Sequence, residues 1–242
     1  MVGLVSNKNL FTFAPMQTDK QKNIDYLKQF VLEKRYNRIQ NVVKKRTRHF
    51  TVVVENLFQS HNMSAILRTA ECLGLQDVHI IEADFEYEIS KQVSLGSQKW
   101  LSIYRYNNLK NNTIACLQSL KEKGYKIVAT MPSENNYLLD DIAIDAKTAF
   151  LFGTELNGLT QEAVNLADEF VKIPMYGFTE SYNVSVSVAL TMMNVNERLR
   201  KSLIDWSLSQ EERLNLELDW LKKSIKDSNR ILQRWHNYEK IV

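Results

Sequence analysis

Apolar residues recur along this chain at two spacings, and their alternation lays out a repeating order of strands and helices. Ile24, Leu27, Phe30 and Val31 fit one face of a helix over 21–45. Apolar runs bounded by turn residues predict buried strands at 51–55, 78–81, 126–130 and 148–152, and residues 169–173 alternate like a further short strand. Between these runs, Ile66, Thr69, Ala70 and Leu73 make an i, i+3, i+4, i+7 helical face. A helix over 111–123 stops at the C-cap glycine Gly124, and another covers 163–167. This alternation predicts an α/β fold with a mostly parallel sheet and helices on both faces.

Local propensity and longer-range pattern disagree at one place. Val184-Ser-Val-Ser-Val188 has period two and β-branched side chains, which favour a strand. The apolar repeat Val188, Met192, Val195 and Leu199 continues downstream at helical spacing, so the segment is read as the start of a helix. Ser181, Asn183 and Ser185 then fall at or just inside its N-terminus, where free amides and the positive dipole end gather. Pro174 ends the preceding strand and Gly177 permits a turn. Beyond Arg200, Ser209-Gln-Glu-Glu212 forms a capping box that opens one long helix, with Leu214, Leu218, Leu221, Ile225, Leu232 and Trp235 on a seam.

Composition narrows the picture further. The 242 residues are 44% apolar, enough for a buried core with helical extensions. With only 7 glycines and 3 prolines, it matters that Gly153, Gly158, Pro174 and Gly177 fall in two short stretches, because special backbone is concentrated there. A net charge of +3 permits a polyanionic partner without requiring one. Arg35, Arg38, Lys44, Lys45, Arg46 and Arg48 form a basic stretch that suits phosphates as readily as it suits a solvated helix face. Cys72 and Cys116 lack disulfide or metal spacing, and their apolar helical contexts predict buried free thiols in a reducing compartment; no metal site is expected. No apolar run approaches the roughly 20 residues of a membrane-spanning helix, and the N-terminus lacks a signal-peptide plan, so a cytoplasmic protein without a membrane partner is expected.

Three stretches resemble, in the same order, the signatures of the TrmH (SpoU) branch of the SPOUT class of RNA methyltransferases. Glu55-Asn-Leu-Phe-Gln-Ser-His-Asn-Met-Ser-Ala-Ile-Leu-Arg-Thr69 looks like motif 1, Phe152-Gly-Thr-Glu-Leu-Asn-Gly-Leu159 like motif 2, and the stretch from Ile173 to Leu190 like motif 3. Gln59 stands where many relatives carry proline, a departure that touches loop stiffness more than chemistry. The resemblance implies a SPOUT fold with a C-terminal trefoil knot over 49–203, preceded by an arm and basic helix at 1–48 and followed by a C-terminal helix at 204–242.

It also implies the chemistry: S-adenosyl-L-methionine-dependent 2'-O-methylation of a ribose in RNA, by a homodimer whose sites are shared between subunits. Arg68, Asn62, Glu155, Ser181 and Asn183 are the implied catalytic group, and Thr130, Gly153, Ile173, Met175 and Tyr182 the implied cofactor contacts. Arg46 is carried over as an RNA-binding candidate. The short N-terminal region and the basic Lys44-Lys-Arg-Thr-Arg48 point to the D-loop guanosine of tRNA. The alternatives are a ribosomal RNA 2'-O-methyltransferase, since the motifs specify chemistry and not the RNA, and a non-catalytic RNA-binding or assembly factor of the same fold.

Overall fold

In the computed structural model, which describes residues 18–57, 59–82, 96–107, 110–133, 136–154 and 157–239, the strands are β1 (Phe50–Glu55), β2 (Asp77–Ile81), β3 (Ser102–Tyr106), β4 (Lys126–Thr130), β5 (Tyr137–Leu138), β6 (Thr148–Phe152) and β7 (Glu169–Lys172). They form one sheet in the order β3-β2-β1-β6-β4-β7-β5, with every pairing parallel. Helices α3 (Ser60–Leu73), α4 (Asn112–Glu122), α5 (Gln161–Leu166) and α6 (Val184–Lys201) accompany it.

Side chains of the central strands alternate between two apolar layers. Val52 and Val54 of β1 and Phe150 and Phe152 of β6 join Met63, Ile66, Leu67 and Ala70 of α3 and Val188, Met192, Val195 and Leu199 of α6. The residues between them, Val53, Ala149 and Leu151, join Cys116, Leu117 and Leu120 of α4 and Ala163 of α5 on the other face. Each buried Val, Leu, Ile, Phe or Met among them is worth roughly 1.5–3 kcal/mol, and a one-residue slip of register would exchange the two layers, so the register is strongly specified. The segment with strand-like propensity is helical: α6 begins at Val184, and Asn183 caps it by accepting the Ser185 N–H at 2.9 Å. Burial of Val184, Val188, Met192, Val195 and Leu199 on one side outweighs the local period of two.

The chain divides into two compact units, one of residues 40–213 that contains the sheet and one built from the residues before and after them. The single helix expected over 21–45 is two: α1 (Asp19–Leu27), a short 3-10 turn at Lys28–Phe30, and α2 (Glu33–Val43). Ile24 and Leu27 are buried while Phe30 and Leu32 are exposed, so the apolar face runs out where the helix breaks. The long C-terminal helix is also two, α7 (Gln210–Ser224) and α8 (Ser228–Glu239). Between them Asp227 adopts φ 57°, a left-handed conformation that Asp tolerates, and the Ser224 and Ser228 hydroxyls donate to the Trp220 and Lys222 carbonyls at the end of α7. The capping box expected at the start of α7 is present, with Glu212 N–H on Ser209 Oγ at 3.2 Å and Ser209 N–H on Glu212 Oε2 at 2.9 Å. Within this unit Tyr26 of α1 stacks on Trp235 of α8, centroids 4.5 Å apart.

Two strands escape the sequence pattern. β3 carries half-exposed Tyr and Arg side chains and β5 is two residues long, so neither shows an apolar run. Cys116 is buried as expected, but Cys72 is exposed, because it follows Arg68 by one turn on the side of α3 that faces away from the core.

His79 of β2 is buried against Tyr104, centroids 4.7 Å apart. Burial, with the positive charge of Lys123 behind it, lowers its pKa to about 3. The unfolded chain therefore takes up a proton that the folded chain refuses. The neutral ring's contribution to stability is complete above about pH 6.5 and is lost as pH falls toward the folded value. His79→Phe is expected to shrink the drop in melting temperature between about pH 7 and about pH 5, and an unchanged drop would locate the acid sensitivity in other groups.

Candidate functional site

Parallel strands release their chains at one edge of the sheet, and there the loops after β4, β6 and β7 enclose a cavity of about 450 Å³. Thr130, Met131 and Pro132 come from the end of β4, Phe152, Gly153 and Thr154 from the end of β6, and Ile173 and Met175 from the chain after β7. Glu180, Ser181 and Tyr182 close it on the way to α6, which adds Val184 and Ser187. The Tyr182 hydroxyl donates to the Pro174 carbonyl at 3.3 Å and so ties the two ends of that last loop together.

The loop after β6 is shaped by backbone contact. Thr154 and Gly158 exchange both amide hydrogen bonds at 3.0 and 3.1 Å, and the Asn157 N–H donates to Thr154 Oγ1 at 3.0 Å. Gly158 sits at φ 65°, and its carbonyl carbon and oxygen lie 2.2 Å from where a Cβ on Gly153 would be. Gly153 is therefore glycine because the chain's own backbone passes over it, and only a residue without a Cβ allows that crossing.

Six of the residues expected at the site line this cavity: Thr130, Gly153, Ile173, Met175, Ser181 and Tyr182. Asn62 and Asn183 do not line it but pair with each other. Asn183 Nδ2 donates to Asn62 Oδ1 at 3.1 Å, and Asn62 Nδ2 donates to Gln59 Oε1 at 3.1 Å, so the start of α3 and the start of α6 are joined through side-chain amides. Glu155 lies outside the described residues. Arg68 does not line the cavity of its own chain. It is exposed, and its position six residues after Asn62 puts it roughly 9 Å further along α3. Its side chain forms no ion pair among the described residues.

Arg46 corrects the expectation of an RNA-contacting side chain. It is 1% exposed, with Nη1 on the Leu75 carbonyl at 2.8 Å and Nη2 on Glu71 Oε1 at 2.8 Å. Its position just past α2 turns the guanidinium under the C-terminal end of α3, where free carbonyls need donors. Asn196 and Arg200 of α6 finish that end, both donating to the Leu73 carbonyl at 3.0 and 3.1 Å. Gly74 follows at φ 79°, with Arg200 Nη2 and the Lys45 carbonyl each 2.8 Å from a would-be Cβ. A basic residue beside a helix C-terminus is a signal that reads either way in a sequence.

Cavity residues that pattern did not single out include Met131, Pro132, Asn157 and Glu180. The signal for the first two was their place one and two residues beyond a buried strand's end. The Thr130 hydroxyl oxygen is buried at this cavity without a hydrogen-bond partner among the described residues. An orphaned acceptor costs roughly 1–3 kcal/mol, a cost that a bound polar ligand removes. Apolar walls from Phe152, Leu159, Ile173 and Met175 with a few polar groups suit a flat heteroaromatic ring carrying hydrogen-bonding substituents.

A parallel α/β sheet with a strand-edge cavity walled by three loops defines the class of fold, and residues 49–193 match the SpoU rRNA Methylase family. Over 212 residues the chain is 43% identical to a tRNA (guanosine(18)-2'-O)-methyltransferase of Borreliella burgdorferi, a match that covers 88% of this chain and 95% of that protein. It is 34% identical over 198 residues to a tRNA (guanosine(18)-2'-O)-methyltransferase of Thermus thermophilus, covering 79% and 97% of the two chains. The crystal structure of the Aquifex aeolicus TrmH/SpoU tRNA modifying enzyme superimposes with a TM-score of 0.71 at 31% identity, over 80% of this chain and 98% of that one. The chain belongs to the SpoU methylase family, the one its three motifs resemble.

The crossing at Gly153 makes a direct prediction. Gly153→Ala is expected to lose about 1–3 kcal/mol in urea denaturation, because its Cβ overlaps the Gly158 backbone. Gly177→Ala, with nothing within 4 Å of the added atom, is expected to be close to neutral. Equal effects at the two positions would contradict the packed loop.

Proposed function

We propose that this chain transfers a methyl group from S-adenosyl-L-methionine to the ribose 2'-oxygen of guanosine 18 in the D-loop of tRNA. The observation that carries this reading is the 43% identity to a protein named for that reaction, which extends over nearly the whole of both chains. The cavity supports the cofactor. Thr130, Ile173, Met175 and Tyr182 would hold the adenosine, with Ser181 and Glu180 at its polar end. When bound there, S-adenosyl-L-methionine supplies a methyl group made electrophilic by its sulfonium charge.

The protein's part is alignment and charge. Two reactants held in line react as one molecule would, and the cavity's fixed backbone walls suit that task. A guanidinium keeps its charge in proteins, so Arg68 would stabilise the negative charge that develops on the 2'-oxygen, while the Asn62 and Asn183 amides orient groups beside it. Glu155 is assigned to the same group as a carboxylate able to fix an arginine fork. With Arg46 buried, the exposed Lys44 and Lys45 are the better candidates for RNA phosphates. An enzyme acting on tRNA would work in the cytoplasm, and no helix among the described residues is long and apolar enough to cross a membrane.

Arg68 stands outside the cavity of its own chain, so this reading needs a second copy to bring it to the cofactor. Val186, Leu190 and Met193 of α6 recur at i, i+4, i+7 with 41–52% exposure, an apolar stripe suited to an isologous contact. The trefoil threading belongs to the same reading. It is supported by the placement of β4 between β6 and β7, and by Arg198 of α6 donating to the Leu139 and Ile142 carbonyls ahead of β6.

Arg68→Ala is expected to lower kcat roughly 100- to 1,000-fold with cofactor affinity unchanged, measured by calorimetry and by methyl transfer to purified tRNA. Co-expressed Arg68→Ala and Asn183→Ala chains are expected to recover part of the activity through heterodimers that hold one intact composite site. A verified heterodimer without activity would refute the shared site. Nucleoside mass spectrometry of tRNA and ribosomal RNA from a deletion strain separates the substrates: a methyl lost from ribosomal RNA alone would overturn the tRNA assignment.

A further inference from the structure

Glu55 ends β1 and is 1% exposed, yet no cation pairs with it among the described residues. Its partners are neutral. Oε1 accepts the Thr113 hydroxyl at 2.5 Å and the Thr160 hydroxyl at 2.9 Å, and Oε2 accepts the Thr160 backbone N–H at 2.9 Å. The same Thr160 hydroxyl accepts the Ala163 N–H at 3.2 Å and so caps α5. Burying a carboxylate without a counter-ion costs more than burying an apolar side chain of the same size, so stability alone does not explain a glutamate here.

What the carboxylate joins does explain it. The loop after β6 supplies Gly153, Thr154, Asn157, Gly158 and Leu159 to the cavity wall and runs straight into Thr160. One end of that loop is held by the sheet. The other is held by Glu55, which fixes both the amide and the hydroxyl of Thr160 and braces them against Thr113 at the start of α4. Two acceptor oxygens are needed for this. Glutamine has one acceptor oxygen where the Thr160 N–H and the two hydroxyls use two, and it loses the charge that strengthens all three bonds, while aspartate is a methylene too short.

We infer that Glu55 is a positioning residue for the cofactor: through Thr160 it sets the depth and width of the wall that the loop after β6 presents to the cavity, without touching what binds there. This rests on the reading of the cavity as the S-adenosyl-L-methionine site. The loop's hold is a property of the free protein, so it is measurable without cofactor.

The test uses the full chain carrying Glu55→Gln, Thr160→Val or Thr160→Ser, with three readouts: amide hydrogen exchange of the 153–160 loop in the free protein, calorimetric binding of S-adenosyl-L-methionine, and steady-state methyl transfer to tRNA. Glu55→Gln and Thr160→Val are each expected to speed loop exchange and to raise the cofactor Kd and KM roughly tenfold, the size of losing a hydrogen bond to a charged group. Turnover at saturating cofactor and KM for tRNA should stay at parental values. Thr160→Ser keeps both donors and should behave as the parent. The double variant should lose less than the sum of the two single variants, since both remove the contact between Glu55 and the Thr160 hydroxyl. A folded Glu55→Gln protein with parental loop exchange and cofactor affinity would overturn the inference. So would a uniform decline of cofactor affinity, tRNA KM and turnover in step with melting temperature, the mark of a merely structural residue. If Glu55→Gln does not fold, Thr160→Val decides, since it leaves the buried carboxylate in place: parental loop exchange and affinity in that variant refute the inference, and faster exchange with weaker binding supports it. A parental protein that binds no S-adenosyl-L-methionine would refute the reading of the cavity, whereas unchanged loop exchange would refute the role of Glu55.

Discussion

Burial of the sheet on both faces is the constraint from which the rest of the structure follows. Successive residues of β1 and β6 serve opposite apolar layers, so neither strand has a side free for a functional group. Chemistry is pushed to the edge where the strands end: polar Glu55 ends β1 and Thr130 ends β4, and Gly153 lies just past β6. Because all pairings are parallel, those ends lie together, and loops far apart in sequence share one cavity.

Much of this was legible in the residues. Five of the seven strands carry their own apolar signal, and the helical repeat through Leu199 overruled the strand-like Val184 to Val188 run because longer burial patterns outweigh local propensity. Thr130, Gly153, Ile173, Met175, Ser181 and Tyr182, which line the cavity, were singled out through motif resemblance, since spacing alone does not say that strands β4, β6 and β7 end side by side. β3 and β5 were missed because an edge strand with one exposed side, or with two residues, has no period to detect. The breaks at 28–32 and 225–227 contain neither glycine nor proline, so nothing in the local alphabet announces them. Arg46 was misplaced for a related reason. A cation at the surface and a cation beneath a helix C-terminus look alike until the third dimension supplies the carbonyls.

The support beneath α3 connects these points. Arg46, Asn196 and Arg200 converge on the carbonyls at its C-terminal end while the Asn62 and Asn183 amides meet at its other end. A helix pinned at both ends keeps its exposed side in one attitude, which matters when that side carries Arg68 and must meet something outside its own chain. The polar cost of burying Arg46, Asn62 and Asn196 is thereby spread along a single mounting element and away from the cavity itself.

Gly153 has a consequence for how this site can change over generations. One wall of the cavity is two stretches of main chain crossing closer than a methyl group allows, and main chain offers selection no alleles to choose among. Drift in the affinity or selectivity of the pocket is therefore confined to the facing walls, at Met131, Ile173, Met175 and Glu180, where side chains of different length and charge are physically admissible. Descendants of this sequence should diversify on those walls while the crossing itself stays frozen.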